Sequence, residues 1–199
     1  MGVLGGTFDP PHHGHLEMAR AARDQLELSK VVLLPAPVPP HKIGTFASFP
    51  DRLEMSRRLV GGERGVEVWG LEAELPAPHY TVQTLRHLLE GPLTGRELFL
   101  IIGADSLCDL HLWKEAQALF HLSEVVAVSR PGYAFRCAGL PASLNDRVRR
   151  IAGLSIRARS RDLRRRLAEG EAPEEIPPPV LDYIRARGLY RQETTPPGQ

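Results

Sequence analysis

Two histidines three residues apart, His12 and His15, close the string Gly5-Gly6-Thr7-Phe8-Asp9-Pro10-Pro11-His12-His13-Gly14-His15. A short apolar run from Met1 to Leu4 precedes the string, and a helical pattern opens at His15 or Leu16. The string therefore reads as the turn between a strand and a helix. The two glycines let the backbone take positive φ and let a ligand approach without a Cβ in the way. A helix start turns free N–H groups and a positive dipole end toward that ligand, which suits phosphate. Two imidazoles near one face of the first turn, with Gly14 giving access between them, point to charge stabilisation during transfer at phosphorus. Gly-Gly and H-x-G-H taken singly also describe an ordinary tight turn with solvated rings, so the specific signal is the whole string.

The elements that must position these groups follow from hydrophobic pattern. Leu16, Ala19, Ala22 and Leu26 have helical spacing, and Lys30 to Leu34 is a continuous apolar run suited to a strand buried on both faces. Strand, helix, strand within this span is a βαβ unit with a right-handed crossover. The proline-rich stretch Pro35 to Lys42 cannot be helix or central strand. It leaves the carboxyl end of the second strand, the edge at which open α/β sheets bind ligands. Ser48 can cap a helix over residues 50–59, Gly61-Gly62 ends it, and Val66 to Val68 reads as a third strand. A helix opens in His79-Tyr80-Thr81-Val82-Gln83-Thr84-Leu85, with Thr81 as a simple N-cap on local grounds. Leu98 to Ile102 is a central strand, with Gly103 and Asp105 at its carboxyl end, and Glu124 to Val128 is another, followed by Arg130. Nine arginines fall between Arg147 and Arg166, most of them readable as a solvated helix face. Within them Ser160 can cap a helix over residues 161–169, with Arg164 in its first turns as part of a second anion site. A last helix starts near Pro178 and ends at Gly188.

Composition bounds the rest. The chain has 199 residues, 42% hydrophobic and 25% charged, with net charge +1. A folded core is expected, and a nucleic-acid coating role is not. No apolar run is long enough for a membrane span, and the N-terminus lacks the pattern of a signal peptide. Cys108 and Cys137 form neither a C-x-x-C pair nor a framework, so reduced thiols in a cytoplasm are expected. G-x-G-x-x-G and Walker A are both absent. The expected fold is α/β: a Rossmann-like, mostly parallel sheet with helices on both faces, plus a small C-terminal helical portion over about residues 160–191. A single domain over 1–191 with a frayed tail at 192–199 is expected. Homo-oligomerisation is left open.

The opening string resembles the G-x-F-D-P-x-H-x-G-H signature of the H-x-G-H nucleotidyltransferase superfamily. Further segments resemble those of the bacterial nicotinate-nucleotide adenylyltransferases: the Pro-Pro-His-Lys ending at Lys42, His79 to Leu85 against S-Y-T-x-x-T-L, Ile101 to Ser106 followed by Trp113, Arg130 to Tyr133, and the chain end to Tyr190. The likeness runs over nearly the whole chain. It implies that His12, His15, Lys42 and Arg164 act on the phosphates, and that Gly5, Gly6, Thr7, Phe8, Gly103, Asp105, Arg130 and Ser160 help bind ATP. It also implies that Lys42, Tyr80, Thr81 and Thr84 meet the nicotinate nucleotide, with the Trp113 face against its pyridine ring. The implied reaction joins ATP and nicotinate mononucleotide into deamido-NAD and pyrophosphate. Mg²⁺ would be carried on the ATP phosphates with no direct protein ligand, and no organic cofactor is implied. Two departures stand out. His79 replaces the Ser of S-Y-T, and Arg159 and Arg161 replace the first Ser and the Thr of I-S-S-T-x-x-R. A nicotinamide-nucleotide or phosphopantetheine adenylyltransferase, and a nucleotide sensor without turnover, are the alternative readings.

Overall fold

A computed structural model describes residues 1–38, 45–129, 137–154 and 156–191. Lys42, Arg130 and the expected tail at 192–199 lie outside the described residues. Six strands form one sheet: β1 (Gly2–Gly6), β2 (Val31–Pro35), β3 (Val66–Val68), β4 (Phe99–Gly103), β5 (Glu124–Val128) and β6 (Arg149–Ile151), in the order β3-β2-β1-β4-β5-β6. Every described pairing is parallel. β1 is central, with Leu4 opposite Leu33 on one side and Ile101 on the other. All five residues of β2 and of β4 are buried, which is why these strands read as continuous apolar runs rather than alternating ones.

The side chains of each strand divide between two cores by the two-residue period of a strand. Leu4, Leu33, Ile101 and Val126 face one core, packed with Leu16 and Ala19 of α1 (His13–Gln25), Met55 of α2 (Phe49–Val60), Leu163 of α7 (Ser160–Ala168) and Ile184 of α8 (Pro178–Arg187). Val3, Val32, Leu100 and Ile102 face the other, with Leu85 of α3 (Thr81–Glu90), Leu107 of α4 (Ala104–Asp109) and Leu119 of α5 (Ala116–Leu122). A short α6 (Ala142–Asn145) precedes β6. Helices thus cover both faces. Ser48 caps α2, accepting from the Asp51 N–H at 3.3 Å, and Gly188 ends α8 at φ 63°.

Three expectations need correction. Part of the arginine-rich segment is the strand β6 and not a helix face; Arg149 and Arg150 are exposed and only Ile151 is buried. Charged side chains on an edge strand hide its apolar signal and discourage pairing with another chain. α7 starts at Ser160, with Arg159 in the N-cap position. The two cysteines are joined in a disulfide between α4 and the segment before α6, with Cα atoms 4.9 Å apart. The expectation of reduced thiols fails because the fold brings together two residues that lie 29 apart in the sequence.

The loops at the carboxyl edge of the sheet are tied by a side chain that no motif pointed to. Arg52 of α2 has 0% exposure. Its Nη1 donates to the carbonyls of Thr7 and Ala36 at 2.7 and 2.8 Å, its Nη2 to that of Pro37 at 2.8 Å, and its Nε to that of Ala47 at 3.2 Å. Burial lowers the Arg52 pKa, and the nearby Asp9 opposes that shift. Asp9, 3% exposed, accepts from the N–H groups of Phe46 and Ala47 at 2.8 and 3.2 Å and from the Tyr190 hydroxyl at 2.6 Å. Replacing Arg52 by Met leaves buried carbonyls and a buried carboxylate uncompensated. We expect a loss on the order of 3 kcal/mol, read in urea titration as a lower midpoint. An unchanged midpoint would show that the loops hold without the guanidinium.

Candidate active site

The strand order reverses between β1 and β4, the place where open parallel sheets leave a crevice at their carboxyl ends. A cleft of about 890 Å³ lies there. The β1–α1 corner contributes Gly5, Gly6, Thr7, Phe8, His12 and His15, and the β4–α4 corner Gly103 and Asp105. Thr81 and Trp113 line it farther along, and Ser160 and Arg164 of α7 line it from the other side. Tyr80 and Thr84 are not among the lining residues. Tyr80 is the N-cap residue of α3 and packs on the second core. Thr84 is buried and its hydroxyl donates to Glu72 Oε1 at 2.8 Å.

The corner is built differently from its sequence-based expectation. Neither Gly5 nor Gly6 takes positive φ; that conformation falls on Phe8, at φ 50°. A left-handed Phe carries a strain of order 1–2 kcal/mol, held by a ring that is 2% exposed and meets His15 edge-on at 4.9 Å. A Cβ on Gly5 would find nothing within 4 Å, so its backbone is bared to open space. A Cβ on Gly6 would meet the Phe8 ring at 3.0 Å. Gly14 does not open a path between the histidines, since it is buried and a Cβ there would lie 2.5 Å from Ile156 and 3.0 Å from His12 Nδ1. Its role is close packing that seats the His12 ring.

The His12 and His15 rings lie 3.9 Å apart between centroids, tilted by 36°. The His12 backbone N–H donates to His15 Nδ1 at 3.2 Å. His15 therefore satisfies a free N–H at the start of α1, and its Nδ1 is the acceptor, which puts the proton of a neutral ring on Nε2. His12 has 0% exposure. Shielding of this kind strengthens hydrogen bonds to charge that develops in the cleft.

On the α7 side, Ser160 Oγ donates to the Pro10 carbonyl at 3.0 Å and Arg164 Nη1 to the Asp9 carbonyl at 2.6 Å. The Arg164 guanidinium also lies 4.1 Å over the Phe46 ring. The two residues that match the I-S-S-T-x-x-R pattern thus clamp α7 onto the Asp9-Pro10 turn. The two that depart from it, Arg159 and Arg161, both line the cleft. Among the described residues no three His, Cys, Asp or Glu side chains converge on a metal site.

Sequence reasoning missed Glu72. It sits in a 3₁₀ turn (Leu71–Glu74), is 6% exposed and lines the cleft beside Thr81 and Trp113. Burial pushes its carboxyl up to about 7, against the Thr84 hydrogen bond, which lowers it. An acidic residue in a short polar turn gives no hint of burial; the only available signal was its place nine residues before the α3 start. The unfolded chain releases this proton near 4.5 and the folded chain near 7, so the folded state holds the extra proton in between and loses stability as pH rises across that window. Glu72→Gln abolishes this term. We expect the variant to gain on the order of 3 kcal/mol over wild type between pH 4.5 and pH 8, measured by urea titration at each pH; a gap that stays constant with pH would contradict it.

A cytidylyltransferase-like family model matches residues 3–167. A relative from Roseiflexus sp. (strain RS-1), named probable nicotinate-nucleotide adenylyltransferase, is 40% identical over 196 residues, covering 96% of this chain and 98% of its own. A relative of the same name from Gloeobacter violaceus is 38% identical over 197 residues, covering 96% and 95%. The fold superposes on Plasmodium falciparum nicotinic acid mononucleotide adenylyltransferase complexed with NaAD at a TM-score of 0.77, covering 95% of this chain and 96% of that one at 18% identity. That likeness speaks for the six-stranded parallel fold alone, whereas the sequence relatives span the whole chain. The chain belongs to the cytidylyltransferase-like family and, within it, to the nicotinate-nucleotide adenylyltransferases.

Proposed function

We propose that the chain transfers the adenylyl group of ATP to nicotinate mononucleotide, giving deamido-NAD and pyrophosphate. The observation that carries this reading is the pair of adjacent imidazoles, His12 and His15, in one cleft with the bared backbone of Gly5. The 5′-phosphate oxygen of the acceptor attacks the α-phosphorus of ATP in line, and pyrophosphate leaves. A phosphate attacker is already anionic near neutral pH, so neither a protein nucleophile nor a strong base is required. Catalysis is positioning and charge stabilisation.

His12 and His15 serve the transferred and leaving phosphates, with Nε2 of His15 as the donor left by its Nδ1 contact. Gly5, Gly6, Thr7 and Phe8 line the nucleotide, and Gly103 and Asp105 receive it at the β4 edge. Arg164 contributes through its remaining nitrogens, Ser160 through the position of α7, and Arg159 and Arg161 add the charge that replaces two missing hydroxyls. Thr81 and Trp113 take the nicotinate end, while Thr84 and Tyr80 support that wall from behind. Lys42 and Arg130 keep the phosphate and adenosine roles that their segments imply. Mg²⁺ would be carried on the ATP phosphates, where it would neutralise phosphate charge, and Asp105 would accept from one of its waters or from a ribose hydroxyl. No helix among the described residues is long and apolar enough to cross a membrane. The proposed compartment, the cytoplasm, rests on the ATP supply there and not on the cysteines, which are joined in a disulfide.

Pyrophosphate release with ATP and nicotinate mononucleotide, nicotinamide mononucleotide or phosphopantetheine tests the reading. Nicotinate mononucleotide should give the highest kcat/KM, and no release with any acceptor would indicate a sensor. His15→Ala should lower kcat about 10²- to 10³-fold. His15→Asn retains an acceptor for the α1 start and should fall as far; recovery in the Asn variant would reduce His15 to a helix cap.

A further inference from the structure

The wall of the cleft that carries Glu72, Thr81 and Trp113 also carries His79, the residue that departs from the S-Y-T pattern. Its Nδ1 is sealed from solvent and meets no hydrogen-bond partner among the described residues. A buried donor with no acceptor is costlier and rarer than a buried acceptor with no donor. The neutral ring therefore keeps its proton on Nε2, because the tautomer follows the hydrogen bonding of the other nitrogen. The edge His79 can offer the cleft is an N–H donor. Just beyond it α3 begins, with Tyr80 in the N-cap position making no side-chain cap hydrogen bond. The positive end of that ten-residue helix adds to the preference for a negative group.

We infer that His79 selects the acid over the amide form of the pyridine nucleotide, with its Nε2–H donating to the nicotinate carboxylate. This rests on the adenylyltransferase reading above. A carboxylate presents acceptors only, so the Nε2–H contact becomes a charge-assisted hydrogen bond to an anion. A carboxamide can accept at its oxygen alone, carries no charge to reward the ring, and must then direct its own N–H₂ at the donors of the α3 start, where a mismatch is costly. Glu72 does not compete for the ring's proton with a full charge, since its Oε1 is engaged by Thr84 and burial holds its carboxyl up to about 7.

The test is steady-state kinetics of the full chain at saturating ATP, with nicotinate mononucleotide and nicotinamide mononucleotide compared for wild type, His79→Leu, His79→Ala and His79→Gln, each checked for a wild-type melting profile. Leu and Ala remove the donor with and without the bulk, and either one that folds is sufficient. The acid-to-amide ratio of kcat/KM should fall about 10- to 100-fold in these variants, carried by KM for the acid. Gln, whose amide nitrogen reaches the Nε2 position, should recover much of the ratio. An unchanged ratio, or an equal loss with both nucleotides, would overturn the assignment while leaving the adenylyltransferase reading standing. A wild-type protein inactive with both nucleotides would instead overturn that reading, and this one with it.

Discussion

The cleft exists because a buried guanidinium and a buried carboxylate hold four loop segments at the carboxyl edge of the sheet. Arg52 collects carbonyls from residues 7, 36, 37 and 47, and Asp9 collects N–H groups from 46 and 47 and the hydroxyl of Tyr190. Loops at this edge would otherwise carry buried backbone groups with no partner. Taking two ions out of water is unfavourable in itself, and what offsets it here is the number of polar groups each ion satisfies. The same arrangement runs a line from the first strand through the start of the proline-rich loop to the turn after α8 that carries Tyr190. Its consequence for function is that the β1–α1 corner is fixed from behind, so the face turned to a nucleotide need not supply its own rigidity.

The residues proposed to act on the nucleotide also have structural roles. His15 caps α1 with one ring nitrogen and offers the other to the cleft. Ser160 and Arg164 fasten α7 to the Asp9-Pro10 turn while lining the cleft. That double use accounts for how two hydroxyls of the I-S-S-T-x-x-R pattern can be exchanged for Arg159 and Arg161. The clamp stays intact and the exchanged positions face the cleft, where a cation is a reasonable partner for a triphosphate.

Much of the fold was legible in the sequence. The central strands announced themselves because burial on both faces forces continuous apolar runs, and Ser48 and Gly188 marked their helix ends by side-chain chemistry and by φ. The position of the first corner, and the residues lining it, were legible for the same local reason. What was hidden depends on contacts distant in sequence. Arg52 looks like any helix arginine until four carbonyls surround it, and Glu72 like a surface acid until Thr84 packs over it. The disulfide joins residues whose spacing has no pattern, and β6 is masked by its arginines. The corner also shows the limit of residue-type reasoning: the left-handed conformation that Gly5 and Gly6 would allow is taken by Phe8, whose ring is buried against Gly6.

The central claim is that two imidazoles of the first βα corner contact the phosphates of a bound nucleoside triphosphate. Histidine side-chain ¹H–¹⁵N spectra of the full chain, assigned with His12 and His15 variants and recorded while a non-hydrolysable ATP analogue and Mg²⁺ are added, test it most directly. The account predicts that the ring signals of both His12 and His15 move together and saturate with analogue binding. Binding of the analogue with either ring signal left in place would contradict it.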